Sequence, residues 1–155
     1  MAQSPNVIFV GVPLRGGITD YIDHLERHLE GPFERIGFKS QYPFWFKKTD
    51  RGENAWISWW NPLTWVQVGN YIAVMAPRLV IFKYWHPLYA PAFGVIRRFA
   101  KYSSVVVIVD NVYPHESFPF QRMLARFVLV GPKEKRIPSL RRDVQEIQGL
   151  ILGAE

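Results

Sequence analysis

Ser104-Val105-Val106-Val107-Ile108-Val109 holds five consecutive β-branched residues after its serine, with no polar alternation. A strand with one wet face would alternate apolar and polar residues. An unbroken run predicts a strand covered on both faces, as at the centre of a parallel sheet. Parallel strands need long crossovers, usually helical, and the flanking sequence supplies them. A helix fits Pro91 to Tyr102, with Phe93, Ile96, Phe99 and Ala100 facing inward, and another fits Phe118 to about Val128. Further out, Leu79-Val80-Ile81-Phe82 and Val7-Ile8-Phe9-Val10 read as two more buried strands. Ile18, Ile22, Leu25 and Leu29 recur at helical spacing, which predicts a helix over Ile18 to Glu30, capped by Thr19 or Asp20 and stopped by Gly31-Pro32. A helix also fits Pro62 to about Ala76, and Lys39 to Phe46 reads as a strand. Strands alternating with helices predict an α/β fold, a Rossmann-like parallel sheet with helices on both faces.

A length of 155 residues predicts one domain or one lobe of a two-lobed protein. Apolar residues make up 48% of the chain and charged residues 21%, which argues against disorder and allows a sizeable core. Cysteine is absent, which excludes a disulfide scaffold, a thiolate metal site and a thiol nucleophile. The start of the chain lacks the pattern of a secretory signal. The uncharged stretch from Asn54 to Pro77 is too interrupted by polar residues for a membrane span. The net charge is +6, and all of the excess falls within residues 78–155, which hold 12 Lys/Arg against 6 Asp/Glu. That balance suits an anionic partner or simply solubility. No nucleic-acid-binding motif accompanies it.

Ligands of such sheets bind outside the carboxyl ends of the strands, so three loops matter. Gly11-Val-Pro-Leu-Arg-Gly16-Gly17 leads into a helix, and its glycines let backbone amides approach a phosphate or simply provide a tight turn. Its spacing is not that of a dinucleotide fingerprint. Tyr84-Trp85-His86-Pro87-Leu88-Tyr89 sets rings beside an imidazole, which suits a sugar or ring-shaped ligand and equally a buried aromatic corner. Asp110-Asn111-Val-Tyr-Pro-His115-Glu116 places a titrating histidine and a carboxylate directly after an apolar strand; a turn with a helix cap is the structural alternative.

His24 and His28 stand one helical turn apart without a third ligand, so no metal site is expected. A serine nucleophile elbow and a Walker loop are both missing. Trp56, Trp59, Trp60 and Trp65 fall within ten residues and read either as a membrane-facing interfacial patch, with Lys47, Lys48 and Arg51 near anionic lipid, or as core packing. Lys133, Lys135, Arg136, Arg141 and Arg142 form a basic cluster in the tail.

The order of Val10-Gly11 to Gly17-Ile18, then Tyr84 to Pro87 with Ala90-Pro91, then Asp110 to Glu116 resembles the amino-terminal domain of family 4-like glycosyltransferases of the GT-B fold. The match covers about residues 6 to 129, within a Rossmann-like domain assigned to residues 1–129; residues 130–155, a basic linker and a helix, do not align. The resemblance implies an acceptor-binding lobe of a retaining hexosyltransferase that moves a sugar from a nucleotide-sugar donor to an acceptor such as a lipid-linked or polysaccharide precursor. It implies no tightly bound cofactor or metal. It sets Gly16 and Gly17 towards the donor diphosphate, and Asn111, His115 and Glu116 at the transfer site. Tyr84, Trp85 and His86 are then the acceptor contacts. Family members are more than twice as long, so the resemblance implies a truncated arrangement, inactive without a donor lobe. Alternatively, the chain is a membrane-associated module that works with a separate donor-binding chain. The expected location is cytoplasmic, peripheral on the inner membrane face.

Overall fold

The structure, a computed structural model, describes residues 4–12, 17–29, 31–40, 54–109 and 120–129. Strands β1 (Val7–Val10), β2 (Phe33–Phe38), β3 (Ala55–Ile57), β4 (Leu79–Tyr84) and β5 (Ser104–Val109) form one parallel sheet in the order β3-β2-β1-β4-β5. The helices are α1 (Gly17–His28), α2 (Pro62–Met75), α3 (Ala90–Arg97) and α4 (Gln121–Leu129), with a short 3₁₀ turn over Pro87–Tyr89. The α/β fold read from the alternating pattern is therefore the fold observed. The chain steps outward from β1 to β3, then returns to the other side of β1 for β4 and β5, so the topological switch point lies between β1 and β4.

Alternate residues of each strand enter different cores. Val7, Phe9, Leu79 and Ile81 meet Ile22 and Leu25 of α1. Ile8, Val10, Ile36, Val80 and Phe82 meet Val68 and Ile72 of α2, Phe93 and Ile96 of α3, and Val128 of α4. Among the described residues one helix thus covers one face of the sheet, and three cover the other. Arg97 donates to the Val128 carbonyl and ties α3 to α4.

Helix α2 begins and ends on local chemistry. The Asn61 side chain accepts from Leu63 N–H at 3.1 Å, and Pro62 occupies the first turn, where its missing N–H costs nothing. Ala76 closes the helix in the left-handed region at φ 44° and donates its N–H to the Ile72 carbonyl at 2.9 Å.

Four points differ from the sequence reading. β5 pairs only with β4 and lies at the edge of the described sheet, not at its centre. Its unbroken apolar run is explained by cover on both faces: Val105, Val107 and Val109 adjoin one core, and Val106 and Ile108 the other. The strand expected over Lys39 to Phe46 is instead β2 at Phe33–Phe38; Lys39 and Ser40 follow it, and residues 41–46 lie outside the described residues. β3, only three residues long, arises inside the tryptophan-rich stretch. Helix α3 is also shorter than its apolar spacing suggests and ends at Arg97.

β2 escapes a pattern reading because it carries Glu34 and Arg35, whose charges are met by distant partners. Arg35 Nε donates to Glu26 Oε1 at 2.6 Å, and its Nη2 reaches both Glu26 Oε2 and Asp23. Hydrogen bonding to Glu26 chiefly, and to Asp23, holds the guanidinium above its ordinary range against the opposing effect of burial. The Tyr71 hydroxyl donates to Glu34 Oε2 at 2.5 Å and so links α2 to β2.

Burial first, and then Glu34, push the Tyr71 phenol up to about 12. An unfolded tyrosine ionises near ~10. The associated stability is therefore fully present below that value and is lost as pH rises through about 12. A phenolate-absorbance titration is expected to show a late phase, to which the buried Tyr84 also contributes, that loses one tyrosine's amplitude in Tyr71→Phe, with circular dichroism confirming that the chain is still folded. An unchanged curve would refute the assignment.

Candidate functional site

The strands are parallel and their registers align their ends. Val10 lies opposite Phe82, Phe82 opposite Val107, and Tyr84 opposite Val109. The chain thus leaves β1, β4 and β5 at one rim, with β1 and β4 flanking the switch point. Gly16, Asn111, His115 and Glu116 lie outside the described residues. Gly17 is the first residue of α1, at this same rim.

Gly11 follows β1 directly, with φ +83°, and donates its N–H to the Ile36 carbonyl at 2.8 Å. A Cβ at this position would sit 2.3 Å from Phe93 Cζ and 3.3 Å from the Lys83 carbonyl oxygen. The glycine is thus demanded by backbone conformation and by the ring beneath it, whatever the loop binds.

The turn after β4 is held by its own histidine. His86 caps the 3₁₀ turn, its Nδ1 accepting from Leu88 N–H at 3.2 Å, which places the proton of a neutral ring on Nε2. Trp85 and His86, both half-buried, have ring centroids 6.2 Å apart. Behind them stands a connected set of rings. Tyr89 lies 5.0 Å from Trp85, 4.6 Å from Trp59 and 4.5 Å from Phe38, and stacks on Phe93 at 5.6 Å. Rings from β2, β4, α3 and the segment before α2 therefore meet beneath this rim.

Tyr84, the last residue of β4, is only 2% exposed. Its ring is 6.4 Å from Phe93, and among the described residues its hydroxyl has no hydrogen-bond partner. Burial pushes its pKa up, so the phenol stays a neutral donor. An unsatisfied buried hydroxyl costs about 1–3 kcal/mol, so this one calls for an explanation.

Lys83, also 2% exposed, projects to the other face of β4 with its ammonium 4.5 Å above the Tyr21 ring of α1. The sequence reading passed over it; the available signal was a lysine inside the apolar run Leu-Val-Ile-Phe-Lys-Tyr, where a parallel strand reaches its carboxyl end. Tyr89 and Phe93 were seen only as turn and helix residues, and their role as ring supports depends on contacts from distant segments.

The four clustered tryptophans separate in space. Trp59 is half-buried, donates Nε1–H to the Ser40 carbonyl at 2.7 Å and lies 4.8 Å from the Phe38 ring. Trp65 is half-buried too and donates to the Ser58 carbonyl at 2.6 Å. Trp56 contacts Tyr71 edge-on at 4.9 Å, whereas Trp60 is 64% exposed. His24 and His28 share an outer turn of α1, their rings 4.6 Å apart, and His28 Nδ1 is 2.9 Å from the His24 carbonyl oxygen. No family model matches the chain, and no curated protein or solved structure matches it either.

Proposed function

We propose that this chain is the acceptor-binding lobe of a glycosyltransferase that moves a sugar from a nucleotide-sugar to a hydroxyl-bearing acceptor. The observation that carries the reading is the Tyr84 hydroxyl, which has no hydrogen-bond partner among the described residues and is buried near Phe93 at the switch point of a parallel sheet. Flat rings and a directional hydroxyl donor are what a pyranose ligand uses. Lys83 and the start of α1 lie on the opposite side of β4. There a cation and backbone amides would favour the negative charge of a leaving diphosphate. Trp85 and His86 would contact the acceptor, and Asn111, His115 and Glu116 would complete the transfer site. Transfer itself would require a donor-binding lobe, which orients the anomeric carbon towards the acceptor hydroxyl.

The test uses the purified chain with a panel of pyranose mono- and disaccharides, followed by saturation-transfer NMR and indole fluorescence. Binding is expected, and Tyr84→Phe is expected to weaken it by about tenfold, the worth of one hydrogen bond. The same substitution should raise the thermal midpoint, because the unsatisfied hydroxyl is gone. A residue needed only for folding would give the opposite sign on stability. Absence of any sugar signal, or a signal unchanged by Tyr84→Phe and Trp85→Ala, would overturn the reading.

A further inference from the structure

The two faces of the sheet carry different charge. The outer surface of α1 bears Asp20, Asp23 and Arg27, of mixed sign. Residues 54–109, which contain α2, β4, α3 and β5, hold no Asp/Glu and five Lys/Arg, of which the buried Lys83 projects to the α1 face. Helix α4, on the same face as α2 and α3, holds Arg122 and Arg126 and no acid. Along α2, Leu63, Val66, Asn70 and Val74 are exposed at spacings of three, four and four, which is one stripe of the helix. Leu63 is 69% and Val74 81% exposed, and Trp60 precedes them by one turn. On α4, Met123 and Phe127 are exposed one turn apart. Arg78, Arg98, Lys101 and Arg126 are exposed, and the Arg98 guanidinium lies 5.2 Å above the Phe127 ring.

We propose that the outer faces of α2 and α4, which pack on either side of α3, form a membrane-docking surface that lies on an anionic bilayer. A helix with exposed leucine and valine and no charge of its own, preceded by the exposed Trp60, would bury that stripe in the interfacial region, and the exposed cations would meet lipid phosphates. Among the described residues no helix is long and apolar enough to cross a membrane, so the contact is a helix lying on the surface. The charge decides between occupants: a second copy of this face would oppose cation to cation, whereas an anionic headgroup layer is complementary to it. The surface is also narrower than the tryptophan cluster suggests. Trp59 and Trp65 face the core, and Trp60 with the α2 stripe faces outward.

The experiment is co-sedimentation of the whole chain with phosphatidylcholine vesicles, with and without phosphatidylglycerol. Binding is expected with phosphatidylglycerol and falls with added salt. Leu63→Glu with Val74→Glu should reduce it by about tenfold or more, since charges then replace the buried stripe. Arg78→Glu with Arg98→Glu should remove the preference for phosphatidylglycerol. A wild-type readout covers the case in which a variant fails to fold. Brominated lipid should quench the intrinsic fluorescence, and Trp60→Phe should diminish the quenching. No binding to phosphatidylglycerol vesicles would overturn the proposal. So would binding unaffected by the stripe substitutions, because the contact would then be purely electrostatic and equally open to an acidic protein or a nucleic acid. The inference does not depend on sugar binding: the stripe variant should keep its saccharide signal, and Tyr84→Phe should keep its vesicle binding.

Discussion

Gly11→Ala is expected to destabilise the chain by about 3 kcal/mol or more, from two separable causes. The first is conformational. At φ +83° an L side chain is strained, which costs on the order of 1–2 kcal/mol. The second is steric: the new methyl would lie 2.3 Å from Phe93 Cζ and 2.8 Å from Cε1. Phe93 cannot move aside, because it is fully buried between Phe82, Tyr89 and Phe38. Overpacking of this kind costs roughly 1–3 kcal/mol. Urea unfolding of Gly11→Ala, Phe93→Leu and the double variant separates the two causes. The double variant should be less destabilised than the sum of the singles, since a leucine relieves the clash but not the backbone strain. A loss below about 1 kcal/mol for Gly11→Ala would contradict the geometry at the end of β1.

Arg35→Leu should cost about 1–3 kcal/mol, below the penalty for a fully buried pair because the Arg35 side chain is itself 32% exposed. Glu26 is 8% exposed and receives two guanidinium bonds, so removal of Arg35 leaves the carboxylate of α1 without them. Asp23 is 43% exposed and remains solvated, so it contributes little to that cost. Replacing both members with leucine should recover most of the loss, because no buried charge is then left without a partner. Chemical denaturation of the two single variants and the double variant tests this. If Arg35→Leu is neutral, the clasp between β2 and α1 is only a surface pair.

Those two sites also show where pattern reading stops. α1 was legible because its apolar residues follow the helical period, β1 and β4 because each is a short unbroken apolar run, and α2 because Pro62 and Pro77 bound it. The core-facing positions Ile22 and Leu25 came from spacing and are buried as expected. β2 was not legible, because Glu34 and Arg35 are tolerable only through Tyr71 and Glu26, 37 and 9 residues distant. β3 is three residues long, too short for any period to show. In the candidate site, Tyr84, Trp85 and His86 stood out as an aromatic turn at the end of a strand. Nothing in their spacing distinguished the hydrogen-bonded His86 from Tyr84, whose hydroxyl has no partner among the described residues.

The amino-acid order by itself determined the layered α/β plan, the crossover helices and the rim at which the strands end. Each of these follows from local periodicity and from the handedness of parallel connections. Only the tertiary structure decided that β5 lies at the edge of the described sheet and that Lys83 and Tyr84 flank the switch point on opposite faces. It also separated Trp59 and Trp65, turned inward, from Trp60, turned outward. The reason is physical: strand order, burial of a polar atom and exposure of a ring depend on which distant segments pack together, and no local pattern carries that information.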